Sequence, residues 1–262
     1  MHTNRDILVI KVGTSTLTEQ IDGSQYRLNQ AAFHQIGAQI MQLKDTYDVV
    51  IVSSGAITAG LVELGETSRP DKTREMLKLQ MLASLGNHHL VTAWRSVLPT
   101  VPVGSLLLTR HNLDDDAIER SSAVHVMREL HAIGGIPVIN ENDAVTNEEI
   151  AFGDNDKLAA IIAARLASAS HTVKLVMLSD VDGVYVDKHD ATTRIPVISR
   201  IDDYEHLAGE AGSANGIGGM VTKFAAVRIA AKAGVDVWIA NGSHSDGILA
   251  ALSGQTGTHF NA

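Results

Sequence analysis

No cysteine occurs anywhere in the chain, so disulfides and thiolate metal sites play no part in its fold or chemistry. Proline is scarce, at 5 residues, and no Pro/Ser/Gly-rich linker or low-complexity tract divides the sequence. Aromatics make up only 4%, and they do not interleave with basic residues as in a single-strand nucleic-acid binder. Positive charge is also in deficit: a net charge of -9 opposes attraction to phosphate backbones, so no nucleic-acid partner is expected. No run of eighteen apolar residues is present to span a bilayer, and the short apolar strand after Asp6 is too brief for a signal-peptide core. The expectation is a cytoplasmic protein with no membrane partner.

What is present has the composition of a folded protein, with 45% hydrophobic and 19% charged residues over a length of 262. That length suits one large α/β domain or two small ones. Apolar runs at Ile7–Val12, Asp48–Ser53, Val101–Leu108, Ile136–Asn140, Lys174–Ser179 and Val235–Ala240 show little alternation, as strands covered on both faces do. Helical periodicity fills the intervals at Asn29–Leu43, Asp71–Val97, Asp116–Ile133, Asp156–Ala169 and Met220–Ala233. Alternating strands and helices predict a mostly parallel sheet between helical layers, a three-layer αβα sandwich. A soft division near Ala169–Thr172 separates two lobes, 1–170 and 171–262, of one domain across which the sheet continues.

Ligands of such sheets sit beyond the carboxyl ends of the strands. Small and polar residues gather at those ends: Gly13-Thr14-Ser15, Ser53-Ser54-Gly55, Asn140-Glu141-Asn142-Asp143 and Ser179-Asp180. Turn chemistry alone accounts for some of them. Lys11 is harder to assign to chance, because a lysine ending the run Ile7–Ile10 is costly to bury unless paired. The alternative is an edge strand with a solvated lysine. Lys223 closes a second feature, Gly216-Ile217-Gly218-Gly219-Met220-Val221-Thr222-Lys223. This is neither a Walker A loop nor a dinucleotide fingerprint, but paired glycines opening a helix suit close approach to a phosphate. A flexible loop with a surface lysine is the competing account.

Between the lysines lies Phe152-Gly153-Asp154-Asn155-Asp156-Lys157. Helix capping explains one of the three polar residues, and three exceed what a cap needs. Two cations with an acidic turn between them suit phosphoryl transfer, where charge spreads over the migrating oxygens. The carboxylates can hold the lysines or carry magnesium. Asn140–Asp143 adds carboxylates and amides able to hold the ammonium group of a small zwitterion. The 12 histidines show no metal-binding spacing, so no metal ligands are assigned. A Gly-x-Ser-x-Gly nucleophile elbow is absent.

In this order the segments resemble the amino acid kinase family, and within it the branch that phosphorylates glutamate. The matching pieces are Val9–Ser15, Val52–Ile57, Pro137–Val145, Phe152–Asp156, Ser179–Tyr185 and Gly218–Lys223, which together span nearly the whole chain. The resemblance implies transfer of the γ-phosphoryl of ATP, with Mg2+, to the side-chain carboxylate of L-glutamate. That is the first step of proline biosynthesis. It implies that Lys11 and Lys223 stabilise the transferring group and that Asp156 orients them. Ser54, Gly55, Asp143, Asn155 and Asp154 would meet glutamate in the N-terminal lobe. Gly13, Ser179, Asp180, Ile217, Gly218, Gly219, Met220, Val221 and Thr222, with the two lysines, would meet ATP.

It also implies feedback by proline, a partner reductase for glutamyl phosphate, and a dimer or tetramer. Three departures stand out: Ile217 and Ser179 replace usual threonines, and Gln80–Asn87 is a looser version of a small-residue helix. The chain stops at Ala262, as in shorter members without the RNA-binding-like C-terminal domain. Two alternatives keep the fold: another small carboxylate, such as acetylglutamate or aspartate, as acceptor, or a non-catalytic nucleotide and amino-acid sensor.

Overall fold

The computed structural model describes residues 5–22, 25–71, 74–113, 118–146, 154–167, 172–187, 189–208 and 219–262. Its first strand, β1 (Asp6–Val12), lies at the middle of an eight-stranded sheet and is buried along nearly its whole length. A short helical turn α1 (Thr14–Leu17) leads into a small hairpin of β2 (Thr18–Ile21) and β3 (Gln25–Leu28). Then come α2 (Gln30–Leu43), β4 (Tyr47–Ser53), α3 (Ala56–Leu64), α4 (Met76–Val97), β5 (Val103–Leu108), α5 (Ile118–Ala132) and β6 (Ile136–Glu141). After α6 (Asn155–Leu166) and β7 (Val173–Ser179) the chain makes the short strands β8 (Val184–Tyr185), β9 (Arg194–Ile195) and β10 (Val197–Ile198). It closes with α7 (Met220–Ala231), β11 (Asp236–Asn241), α8 (Gly247–Leu252) and β12 (Thr258–Phe260).

The strand order is β10-β12-β11-β7-β1-β4-β6-β5, so the sheet runs through both halves of the chain. Every neighbouring pair is parallel except β11 with β12. The chain steps from β1 to β4 on one side and returns to β7 on the other. That reversal opens a crevice at the carboxyl ends of the central strands.

Side-chain alternation along β1 divides the core. Ile7 and Val9 join a cluster with Leu158, Ala159 and Ile162 of α6 and Ala226 and Val227 of α7. Leu8, Ile10 and Val12 face the opposite cluster, with Phe33 and Ile36 of α2 and Trp94 of α4. A period of two therefore places Lys11 on the α6 face. On the other layer α3 and α4 cross at two glycines: a Cβ at Gly60 would collide with the Leu82 carbonyl, and one at Gly86 with that of Ala56.

Each of the six long strands expected from sequence forms, within about two residues of its expected ends. The helix expected from Asp71 starts later, at Met76. Asp71 accepts a hydrogen bond from the Arg74 amide at 3.0 Å while Glu75 accepts one from the Asp71 amide at 2.9 Å, and this reciprocal turn ends where the helix begins. The helix expected from Asp116 is described from Ile118, and the expected lobe boundary near 169–172 falls mostly outside the described residues. No helix among the described residues is long and apolar enough to cross a membrane.

Candidate active site

The carboxyl ends of β1, β4, β6 and β7 open into a cleft of ≈ 850 Å³. Residues expected there from sequence meet in it: Lys11, Gly13, Ser54, Gly55, Asp143, Asp154, Asn155, Asp156, Ser179, Asp180 and Lys223 all line it. Gly219, Met220, Val221 and Thr222 open α7 beside Lys223. Ile217 and Gly218 lie outside the described residues, as do Phe152 and Gly153.

Asp156 organises the charge. Asp154 caps α6, its carboxylate accepting the Lys157 amide at 2.9 Å, which sets Asn155 and Asp156 in the first helical turn. From there one oxygen of Asp156 pairs with Lys11 Nζ at 2.6 Å and the other with Lys223 Nζ at 3.3 Å. The Thr222 hydroxyl also donates to Asp156 Oδ2, at 3.2 Å. All three charged groups are buried; Asp156 is 1% exposed. Burial alone would raise the Asp156 pKa, but the two ammonium groups together outweigh it and hold the carboxyl below its usual range. One carboxylate between two lysines leaves this triad, taken by itself, with a net positive charge at the cleft. Asp154 behaves in the opposite way, because burial and then the Asp156 charge push its carboxyl above the usual range.

A second network positions the uncharged groups. The Asn155 side-chain amide donates to Ser54 Oγ at 2.9 Å and to Asn140 Oδ1 at 2.9 Å. Behind Ser54, the neighbouring Ser53 hydroxyl accepts from the indole N–H of Trp94 at 3.0 Å, both groups buried. Gly55 takes φ +106°, a left-handed conformation that lets the chain turn from β4 into α3. At Gly13 a Cβ would stand 3.6 Å from Lys11 Nζ, so glycine keeps that lysine approachable.

Sequence reasoning passed over part of the rim. Glu19 and Gln20 of β2, Tyr26 of β3, Arg69 and Gln80 also line the cleft. The hairpin had a signal in Asp22-Gly23 between two strand-like runs, a strong turn dipeptide. Arg69 had none, lying in an irregular segment ahead of Pro70. His88 and His89, adjacent on α4, have ring centres 3.9 Å apart, and His89 Nε2 meets Glu63 at 2.9 Å. Even so, no group of three or more His, Asp or Glu residues is placed to hold a metal ion among the described residues.

Residues 6–241 match the model of the amino acid kinase family. The chain is 41% identical to the glutamate 5-kinase of Symbiobacterium thermophilum, over 97% of this chain and 95% of that protein. It is 39% identical to the glutamate 5-kinase of Streptomyces coelicolor, again over 97% of this chain but over 66% of that longer protein. In structure it resembles UMP kinase from Ureaplasma parvum, with a TM-score of 0.63 at 16% identity over 98% of this chain and 99% of the other. At that identity the likeness concerns the fold alone.

Proposed function

This chain belongs to the amino acid kinase family, and from that premise we infer that it transfers the γ-phosphoryl group of ATP to the side-chain carboxylate of L-glutamate. The observation that carries the reading is the bridge from Lys11 through Asp156 to Lys223. A carboxylate acceptor is already ionised at neutral pH and requires no general base. Catalysis then reduces to bringing two anions together and neutralising the charge that spreads over the phosphoryl oxygens. Two buried ammonium groups held on one carboxylate meet that requirement.

In this reading an oxygen of the glutamate side chain attacks the γ-phosphorus. The bond from that phosphorus to the β–γ bridging oxygen breaks, and ADP leaves with the bonding pair. Glutamate occupies the part of the cleft bounded by Ser54, Gly55, Asp143, Asp154 and Asn155. Its ammonium group is drawn to the carboxylates there, and the Ser54 hydroxyl is positioned to donate to a carboxylate oxygen. ATP lies toward β7 and α7, near Ser179, Asp180 and the first turn of α7, so the two lobes divide acceptor from nucleotide. Among the described residues no group of three or more acidic or histidine side chains is placed to cage a metal ion, so a magnesium ion would be held chiefly by the nucleotide phosphates. Such an ion supplies further charge neutralisation. The product is a reactive acyl phosphate, which fits the first step of proline biosynthesis and a reductase that consumes it promptly.

The test is ADP release from MgATP with and without L-glutamate, with hydroxylamine present to trap the acyl phosphate. Glutamate-dependent ADP together with γ-glutamyl hydroxamate is the expected result. Turnover only with another small carboxylate would move the acceptor, and no turnover with any acceptor would overturn the enzyme reading.

A further inference from the structure

A buried chain of side-chain amides runs from the middle of α4 to the edge of the cleft. Asn87 is 8% exposed and Asn140 5%. The Asn140 amide nitrogen donates to Asn87 Oδ1 at 3.0 Å. Asn140 Oδ1 accepts twice, from the backbone N–H of Glu141 at 2.9 Å and from Asn155 Nδ2 at 2.9 Å. Asn155 Nδ2 also donates to Ser54 Oγ at 2.9 Å.

The direction of this chain is fixed at one point. A backbone N–H can only donate, so the Asn140 oxygen must face Glu141 and its nitrogen must face Asn87. Asn87 must therefore present its oxygen, and Asn155 must present its nitrogen. With Ser54 Oγ already accepting from Asn155, the Ser54 hydroxyl proton is left to donate elsewhere, and Ser54 lines the cleft. The two remaining amide atoms, Asn87 Nδ2 and Asn155 Oδ1, are buried without a hydrogen-bond partner among the described residues. Such atoms are unfavourable in a fold, and two of them in one run of amides call for an explanation.

We propose that Asn87, which does not line the cleft, is a positioning residue for the acceptor. It holds Asn140 in the orientation that keeps Asn155 donating to Ser54 and so aims the Ser54 hydroxyl at a substrate carboxylate oxygen. The proposal rests on the glutamate kinase reading given above. Removing the Asn87 oxygen leaves the Asn140 nitrogen buried and unpaired, and that amide then turns to seek another acceptor. The grip on Asn155 goes with it. ATP, on the other side of the lysine bridge, is not touched by this chain.

Steady-state kinetics on Asn87→Leu and Asn87→Asp test the proposal. Leucine keeps the volume and removes the acceptor, and the expected result is a KM for glutamate raised about tenfold, as for one lost hydrogen bond, with the KM for ATP within about twofold of wild type. Burial favours the neutral, protonated form of an aspartate at this position, which keeps a carbonyl oxygen facing Asn140 and removes the unpartnered nitrogen, so the glutamate KM returns to within about twofold of wild type. Should Asn87→Leu not fold, Asn87→Ala is read by the same split. An unchanged glutamate KM in the truncated variant would overturn the proposal, and so would equal rises for both substrates or failure of Asn87→Asp to restore binding. Wild-type protein that does not turn over glutamate would instead overturn the function on which the proposal rests.

Discussion

Lys11, at the end of the central strand, and Asp156, in the first turn of α6, form an ion pair of 2.6 Å in which the carboxylate is 1% exposed. Neither group is stable there alone, since a buried charge without its partner is strongly unfavourable. Asp156→Asn is expected to lower the free energy of unfolding at pH 7 by about 3–5 kcal/mol, measured by urea denaturation. The pH dependence follows from the sign of the shift. The folded-state pKa of Asp156 is depressed, so its contribution is present above the unfolded value of about 3.9 and is lost as pH falls through the lower folded value. The stability gap between wild type and Asp156→Asn should therefore close below about pH 4. A gap that persists unchanged into that range would refute the charge-pairing account.

For the lysines the expected loss lies in turnover. Lys11→Ala and Lys223→Ala should each reduce kcat by about 10²–10³, the usual effect of one electrostatic donor. Their combined loss should fall short of the product of the two, because both act on one carboxylate and one phosphoryl group. Near-normal kcat in Lys11→Ala, in the hydroxamate assay, would remove it from the chemistry.

Asp154 titrates in the opposite sense. Its folded-state pKa is raised, so the folded protein holds that proton more tightly and loses stability as pH climbs from about 3.9 through the raised value. Asparagine caps a helix as well as aspartate and carries no charge to desolvate. The melting temperature of Asp154→Asn should therefore equal or exceed that of wild type at pH 7, with the difference shrinking toward pH 4. Asp154→Ala loses the cap and should be about 1 kcal/mol less stable. An Asp154→Asn variant that melts well below wild type at pH 7 would contradict this.

Gly86→Ala tests the crossing of α3 over α4. The added methyl would strike the Ala56 carbonyl, which is backbone and cannot rotate away. A loss of roughly 1–3 kcal/mol or more in unfolding free energy is expected, with reduced turnover because α3 begins directly after Gly55 at the cleft. A stability within about 0.5 kcal/mol of wild type would show that the helices separate freely.

Much of the site was legible in the sequence because its residues violate local rules. Lys11 ends an apolar strand, and Asp156 follows a cap residue already sufficient for its helix, so each asks for a partner elsewhere. That carboxylates of the acidic turn hold the lysines was one of two readings of the residues, and family resemblance singled out Asp156, since spacing along the chain does not state which face of β1 meets α6. The structure supplies that through alternation, with Ile7 and Val9 packed on the α6 side. Asn87 was invisible for a different reason: a single amide within a helix reads as a surface residue until Asn140 is seen opposite it. Arg69 sits in an irregular stretch where no periodicity operates. The late start of α4 reflects a turn, closed by Asp71 and Glu75, that outcompetes helix propensity.

The central place of β1 bears on how the molecule comes into being. This strand is made before the rest of the sheet, yet one of its two neighbours, β7, follows only after β4, β5 and β6. Lys223, on α7, is synthesised later still. A nascent chain thus carries Lys11 and Asp156 long before the third charge can join them. The three-charge bridge is therefore complete only once α7 has been made and has packed against α6.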